Sequence, residues 1–170
     1  MPEKLSSQLK KADHLLKIGD LTSALAVVVE LKDKHHDVSD VWALDGEIAI
    51  RQQRIKDAMT AVDQAAKLEP PSAERHVQRA RCYVVAGNTD EALKSALLSI
   101  NLGVTRLDHL LVLGGVLVRC DEHLKALDIY LKAKEMSQGN VNVHRGLASV
   151  YRFLGKLEKA DQACNEAIRL

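Results

Sequence analysis

Alanines stand at positions 24, 58, 92, 126 and 160, each 34 residues after the last, with no insertion or deletion between them. A fixed period of that length marks stacked repeats, in which each unit buries its apolar face only against its neighbours. Three further columns keep the same phase. Ala12, Gly46, Ala80, Gly114 and Ala148 are small, as closely crossing helices require. Leu15, Ala49, Tyr83, Leu117 and Tyr151 supply apolar bulk beside them, and Val28, Val62, Ala96, Tyr130 and Cys164 form the fourth column. A core built this way runs in a line.

Phased from Leu5, the period predicts helices at about 5–18 and 21–34, 39–52 and 55–68, 73–86 and 89–102, 107–120 and 123–136, and 141–154 and 157–170. Each would be roughly 21 Å long at about 1.5 Å per residue, too short to persist alone, so stability must come from burial between neighbours. Turn chemistry fits this phase. Gly19-Asp20, Gly87-Asn88 and Gly155-Lys156 stand where the first helix of a pair ends, and glycine there takes the left-handed backbone that stops a helix. Gln53-Arg54 and Asp121-Glu122 hold the same place with less suitable residues. Between units, Pro70-Pro71 withholds two backbone donors, and Gly103 and Gly139 are expected as helix stops. The segment from Leu107 carries Leu110, Leu111, Leu113, Gly114, Leu117 and Val118 over a wide surface, which places it in the middle of a stack.

These residues resemble the tetratricopeptide repeat, a helix-turn-helix unit that reads W-x2-L-G-x2-Y, then A-x3-F, A and P. The fullest copy starts at Asp40. Trp42, Gly46, Ala58, Ala65 and Pro70 fall in its consensus slots, with Asp45 for the usual Leu and Ala49 for the usual Tyr. The last copy supplies Leu147, Ala148, Tyr151, Gly155, Ala160 and Ala167, while His76 and His144 occupy the Trp slot in two others. The resemblance implies an all-α fold, a right-handed superhelical α-solenoid of antiparallel helix pairs with about ten helices. The expected organisation is one array over 5–170, with repeats at 5–38, 39–72, 73–106, 107–140 and 141–170.

Composition narrows the function classes. With 24 Lys plus Arg against 23 Asp plus Glu, the chain lacks the basic excess of a protein that coats nucleic acid. Aromatics at 3% are too few for the stacking platforms that single strands require. No stretch approaches the roughly 18 apolar residues of a membrane helix, and Met1-Pro2-Glu3-Lys4 lacks the apolar segment of a signal peptide. Cys82, Cys120 and Cys164 are odd in number and widely spaced, which favours reduced thiols over a disulfide framework. The expectation is a cytoplasmic protein with a protein or peptide partner, no nucleic acid and no membrane insertion.

In arrays of this family the first helix of each pair lines a concave face, so the resemblance also implies a groove. Its inward slots fall on Ser6, Leu9, Asp13, Leu16 and Lys17 in the first repeat, and on Asp40, Ala43, Glu47, Ile50 and Arg51 in the second. The third gives Glu74, Val77, Arg81, Val84 and Val85, and the fourth Asp108, Leu111, Gly115, Val118 and Arg119. Asn142, Arg145, Ser149, Arg152 and Phe153 follow in the fifth, so charge shifts from acidic to basic. Two aliphatic rows, Leu9-Ala43-Val77-Leu111 and Leu16-Ile50-Val84-Val118, both change to arginine in the last repeat. One reading is a peptide or helix with apolar anchors mid-groove and an acidic group near Arg119, Arg145 and Arg152, since a guanidinium pairs a carboxylate bidentately. The other makes the aliphatics half-buried core and the arginines solvated. The carboxylate clamp that some relatives use on chaperone tails is missing. Its positions hold Leu9, Asp13, Leu44, Glu74 and Gln78, or one repeat later Ala43, Glu47, Gln78, Asp108 and Val112, whose carboxylates would repel such a tail.

Catalytic chemistry finds little foothold. Gly114-Gly115 lies inside an expected helix and reads as close packing, without the strand a phosphate loop needs. His35-His36 beside Asp33 and Asp37 read as a polar helix end, because adjacent residues face different ways. His76 and His144 replace a bulky aromatic and are expected to be buried. Cys82 and Ser149 have no evident base to activate them. No catalytic residue, metal or cofactor is expected in this segment. The fifth repeat reaches Leu170 before its closing turn, which should leave some of Ala163, Cys164, Ala167, Ile168 and Leu170 exposed. Three functional expectations stand side by side: a non-enzymatic scaffold or adaptor binding a partner segment in its groove; a substrate-recruiting or regulatory region of a larger enzyme such as a sulfotransferase or glycosyltransferase; and a self-associating array joined through the uncapped end.

Overall fold

The computed structural model describes residues 3–68 and 72–170. Among them are ten α-helices and no strand: α1 (Glu3–Ile18), α2 (Leu21–Lys34), α3 (Ser39–Arg51), α4 (Ile55–Leu68), α5 (Ala73–Val85), α6 (Thr89–Asn101), α7 (Leu107–Arg119), α8 (His123–Met136), α9 (Val141–Phe153) and α10 (Leu157–Arg169). Each odd helix packs antiparallel on the even helix that follows. Successive pairs meet through α2–α3, α4–α5, α6–α7 and α8–α9, and the odd helices also touch one another along the array. The result is a right-handed superhelical solenoid of helix pairs. Helix ends fall within two residues of those read from the period.

The alanine column does the packing its spacing implies. Ala24, Ala58, Ala92 and Ala126 are fully buried, and Ala160 is 7% exposed. In the column ahead, a Cβ on Gly46 would lie 2.8 Å from Val62 Cγ2, and one on Gly114 would lie 2.5 Å from Tyr130 Cζ. Those helix pairs cross too closely for a side chain larger than hydrogen. The fourth column ends differently, because α10 packs only on α9 and Cys164 is left exposed.

Helix ends follow local chemistry. Gly19, Gly87, Gly103 and Gly155 have φ between 71° and 85°, while Gln53 and Asp121 adopt φ of 59° and 58° in the equivalent turns. The side chains of Asp20, Ser72, Asn88 and Asn140 accept hydrogen bonds from backbone N–H groups two or three residues on, capping α2, α5, α6 and α9. Gly139 departs from expectation. Its backbone is not left-handed, and α8 ends instead where Ser137 turns extended, at φ −153°. The Pro70-Pro71 stop lies outside the described residues.

The core forms unequal clusters. A large one runs from Val77 to Ala163 through Leu110, Leu113, Leu117, Val143, Leu147 and Val150. A smaller one joins Leu5, Leu16, Val28, Leu31, Val41 and Ile48. Between them lies a small cluster of Ala49, Ala58, Val62 and Cys82, because the buried residues of α4 are three alanines and one valine.

Candidate functional site

A trough of about 600 Å³ opens across α1, α3, α5 and the start of α7. Of the candidate groove residues, Leu9, Asp13, Leu16, Ala43, Glu47, Arg51, Val77 and Arg81 line it. Its floor is largely closed. Leu16, Ala43, Val77 and Val84 are buried, and Leu9, Ile50, Leu111 and Val118 are half-buried against the core, so the two aliphatic rows offer little apolar surface. Lys10, Leu44, Gln78 and Val112 line the trough as well. Reading the inward slots alone missed that column, although it too repeats every 34 residues.

The walls carry charges that cancel from repeat to repeat. Glu47 accepts from Arg51 on its own helix at 3.0 Å and from Arg81 of α5, while Arg51 donates to Leu16 O of α1 at 2.8 Å. Asp40 pairs with Arg75 at 2.6 Å, and Asp13 with Lys17 at 2.5 Å. Arg106, just ahead of α7, reaches Asp108 at 2.7 Å and Glu74 at 3.6 Å. The hydrogen bond from Arg106 holds the Asp108 carboxyl below its usual range. Every carboxylate of the trough is therefore engaged by a cation. Arg75 and Arg106, which supply two of these cations, lie outside the inward slots.

The last repeat departs from this pattern. Arg145, Ser149 and Arg152 line a separate cavity of about 670 Å³ between α9 and α10, with Leu157, Cys164, Ala167 and Ile168 as its apolar wall. Arg51, Arg54, Arg75, Arg79, Arg81, Arg106 and Arg169 each reach a carboxylate. That leaves Arg119, Arg145 and Arg152 as the three arginines without an ion pair among the described residues; Arg152 instead lies 5.9 Å from the Phe153 ring. Tyr130 of α8 is buried beside α7 and α9. Its ring is inserted between Gly114 of α7 and Gly146 of α9, and a Cβ on Gly115, itself a groove slot, would stand 3.8 Å from its hydroxyl.

Of the other polar candidates, His144 has a backbone partner, while His76 and Cys82 are buried. His144 is buried and its Nε2 donates to Gln138 O at 2.7 Å, the same six-residue reach that Trp42 Nε1 makes to His36 O. His76 is 9% exposed, and burial first, then Arg79, lowers its pKa below the usual histidine value. Burial pushes the Cys82 thiol up to about 11, with the Asp63 carboxylate adding to the shift. Among the described residues no group of three His, Cys, Asp or Glu is placed to hold a metal ion, and no helix is long and apolar enough to cross a membrane.

A tetratricopeptide-repeat family model matches residues 146–170. No curated protein matches the chain by sequence. Among solved structures, MamA superposes with a TM-score of 0.73 at 18% identity, over 99% of this chain and 92% of that one. PilW, described as a widely conserved type IV pilus biogenesis factor, gives 0.86 at 14% identity, over 100% and 80%. YrrB, described as a tetratricopeptide-repeat protein with an unusual peptide-binding site, gives 0.71 at 16% identity, over 95% and 84%. At these identities the likeness concerns the fold. The family model thus places a tetratricopeptide repeat on the last unit of this chain, and the chain as a whole shares the solenoid fold of those structures.

Proposed function

We propose that residues 5–170 act as one interaction array that holds a segment of a partner protein along its concave face, without catalysing a reaction. The observation that carries this reading is the change in charge along that face. The trough neutralises its own carboxylates, whereas Arg119, Arg145 and Arg152 are left without counter-charges. Uncompensated guanidinium groups, two of which, Arg145 and Arg152, line a cavity, suit a ligand that supplies the missing anions. The aliphatic rows form the floor of the groove and the polar slots its contact surface. Three unpaired cysteines fit a reducing compartment, and we keep the cytoplasm as the proposed location.

The test is affinity capture with the purified chain and two charge-altered forms, Arg145→Glu/Arg152→Glu and Asp13→Lys/Glu74→Lys. A partner retained by the unaltered chain should be lost with at least one of them while helical circular dichroism stays unchanged. Equal capture by all three would remove the concave face from the account. A second reading, self-association through the α10 face, is favoured by the exposure of Leu157 at 64% and Ile168 at 81%.

A further inference from the structure

We infer that the cleft bounded by α8, α9 and α10 is a second binding site, one that takes an aromatic ring joined through a short link to a carboxylate. It shares no residue with the concave trough and does not rest on the reading proposed above. Its cavity of about 580 Å³ is lined by His144, Leu147 and Tyr151 of α9, Ala163 of α10 and Lys134 of α8. The three α9 residues follow the i, i+3, i+7 spacing of one helix stripe, apart from the stripe of Arg145, Ser149 and Arg152. Earlier repeats close the equivalent cleft with side chains of their own. At the second repeat Trp42, in the slot of His144, donates to His36 O at 2.7 Å. Lys32, in the slot of Lys134, lies 4.5 Å from the Trp42 ring centroid and reaches Asp45, in the slot of Leu147, at 2.5 Å. At the third, Arg79 takes the slot of Leu147 and reaches Tyr83 Oη at 3.4 Å and Asp63 at 3.2 Å. At the fourth, Leu110, Leu113, Leu117 and Ile129 fill it with buried aliphatic groups.

The fifth repeat keeps the framework of this plug and loses its bulk. His144 retains the backbone contact, to Gln138 O at 2.7 Å, but imidazole is smaller than indole. Leu147 offers Lys134 no carboxylate, and Ala163 replaces Ile129. The opening therefore comes from substitutions on the side facing α8, where both repeats that form the cleft are present. The plug of the second repeat specifies what this cleft lacks: a larger ring beside Leu147 and Ala163, and an anion for the ammonium group. Lys134 and Lys159 make no ion pair among the described residues, and Lys159 Nζ lies 5.9 Å from the Tyr151 ring centroid. Glu166, the one carboxylate on the lining, already reaches Arg169 at 3.0 Å. A ring would gain contact with Tyr151 and the aliphatic floor, and a carboxylate would gain a lysine. A nucleotide also joins a ring to an anion. In the second repeat, however, one ammonium touches ring and carboxylate at once, and a ribose would hold base and phosphate too far apart for that. A free aromatic acid and a chain ending in an aromatic residue share the required chemistry.

Titration of the isotope-labelled chain with N-acetyl-tryptophan, followed in its amide NMR spectrum, tests the site. The signals of Gln138, His144 and Gln162 should shift together. Affinity should fall roughly tenfold for N-acetyl-tryptophanamide and for Lys134→Glu, the size of one charge-assisted contact. His144→Trp/Leu147→Asp rebuilds the plug of the second repeat and should abolish binding with helical circular dichroism unchanged; if that form does not fold, exposed Lys134→Glu decides alone. Asp13→Lys/Glu74→Lys should leave the affinity as it is, which separates this site from the groove. The inference is overturned by an absence of shifts, by equal affinity for the amide, by full binding to Lys134→Glu, or by tighter binding of adenosine monophosphate. A short peptide ending in tryptophan with a free carboxylate distinguishes the two sources. Binding at least tenfold tighter than N-acetyl-tryptophan supports the site with a chain terminus as ligand, and equal or weaker binding supports it with a free aromatic acid.

Discussion

Tyr130 shows how one large side chain is admitted to an array built on small ones. Its column otherwise holds Val28, Val62, Ala96 and Cys164, and its ring fits because the flanking helices both present glycine to it. A Cβ at Gly146 would lie 2.2 Å from Tyr130 Cε1, far inside contact distance. Gly146→Ala should therefore destabilise the fold by about 2 kcal/mol despite alanine's better helix propensity, because the ring has no free space to enter. Gly115→Ala, where the nearest atom is 3.8 Å away, should instead stabilise by roughly 0.5–1 kcal/mol. Urea titration of the two variants checks the opposite signs. Asp45 is a second residue whose identity needs its neighbour to make sense. It sits 8% exposed where the repeat usually has Leu, and Lys32 reaches it at 2.5 Å while lying 4.5 Å from the Trp42 ring centroid. The 34-residue spacing revealed that Asp45 was out of place. It could not show Lys32, because the partner comes from the preceding helix.

At the scale of elements, each hairpin turn poses the same backbone problem, and the repeats solve it with different residues. Three of the five turns place glycine at the left-handed position, while Gln53 and Asp121 occupy it at φ 59° and 58°. A side chain there costs about 1–2 kcal/mol in backbone strain, only partly offset by the greater unfolded-state entropy of glycine. Asp121→Gly should accordingly stabilise the protein by about 0.5–1 kcal/mol, read as a rise in Tm of a few degrees. An unchanged or lower Tm would show that the turn is not strained. These turns were legible because glycine and its substitutes recur in phase. The end of α8 was not, since Gly139 invites a left-handed stop and the chain turns extended two residues earlier.

Over the whole molecule, burial is uneven. The large cluster from Val77 to Ala163 and the smaller one at Leu5 to Ile48 meet at a seam of Ala49, Ala58, Val62 and Cys82. In a solenoid, stability is close to a sum of units and interfaces, so the interface with least apolar area opens first. Cys82 reports on that seam. It is 1% exposed with its thiol pushed up to about 11, and it should stay unlabelled at neutral pH while exposed Cys164 reacts. In rising denaturant, Cys82 should become reactive before the circular dichroism of the array is lost. Labelling that coincides with global unfolding would show that the two clusters behave as one. The contrast along the groove belongs to this scale too, since Asp40, Glu47 and Asp108 of the trough are each neutralised by an arginine of a different repeat.

The sequence by itself determined the period, the ten helices and the small residues at their crossings. All of these follow from local geometry repeated at a constant interval. Only the tertiary structure decided which inward residues remain free to act. Arg81 and Arg145 look alike in the sequence, two arginines at concave slots. One is tied to Glu47 of the neighbouring repeat, and the other faces a cavity without a counter-charge, because ion pairing depends on side chains brought together across helices rather than on their place in the repeat.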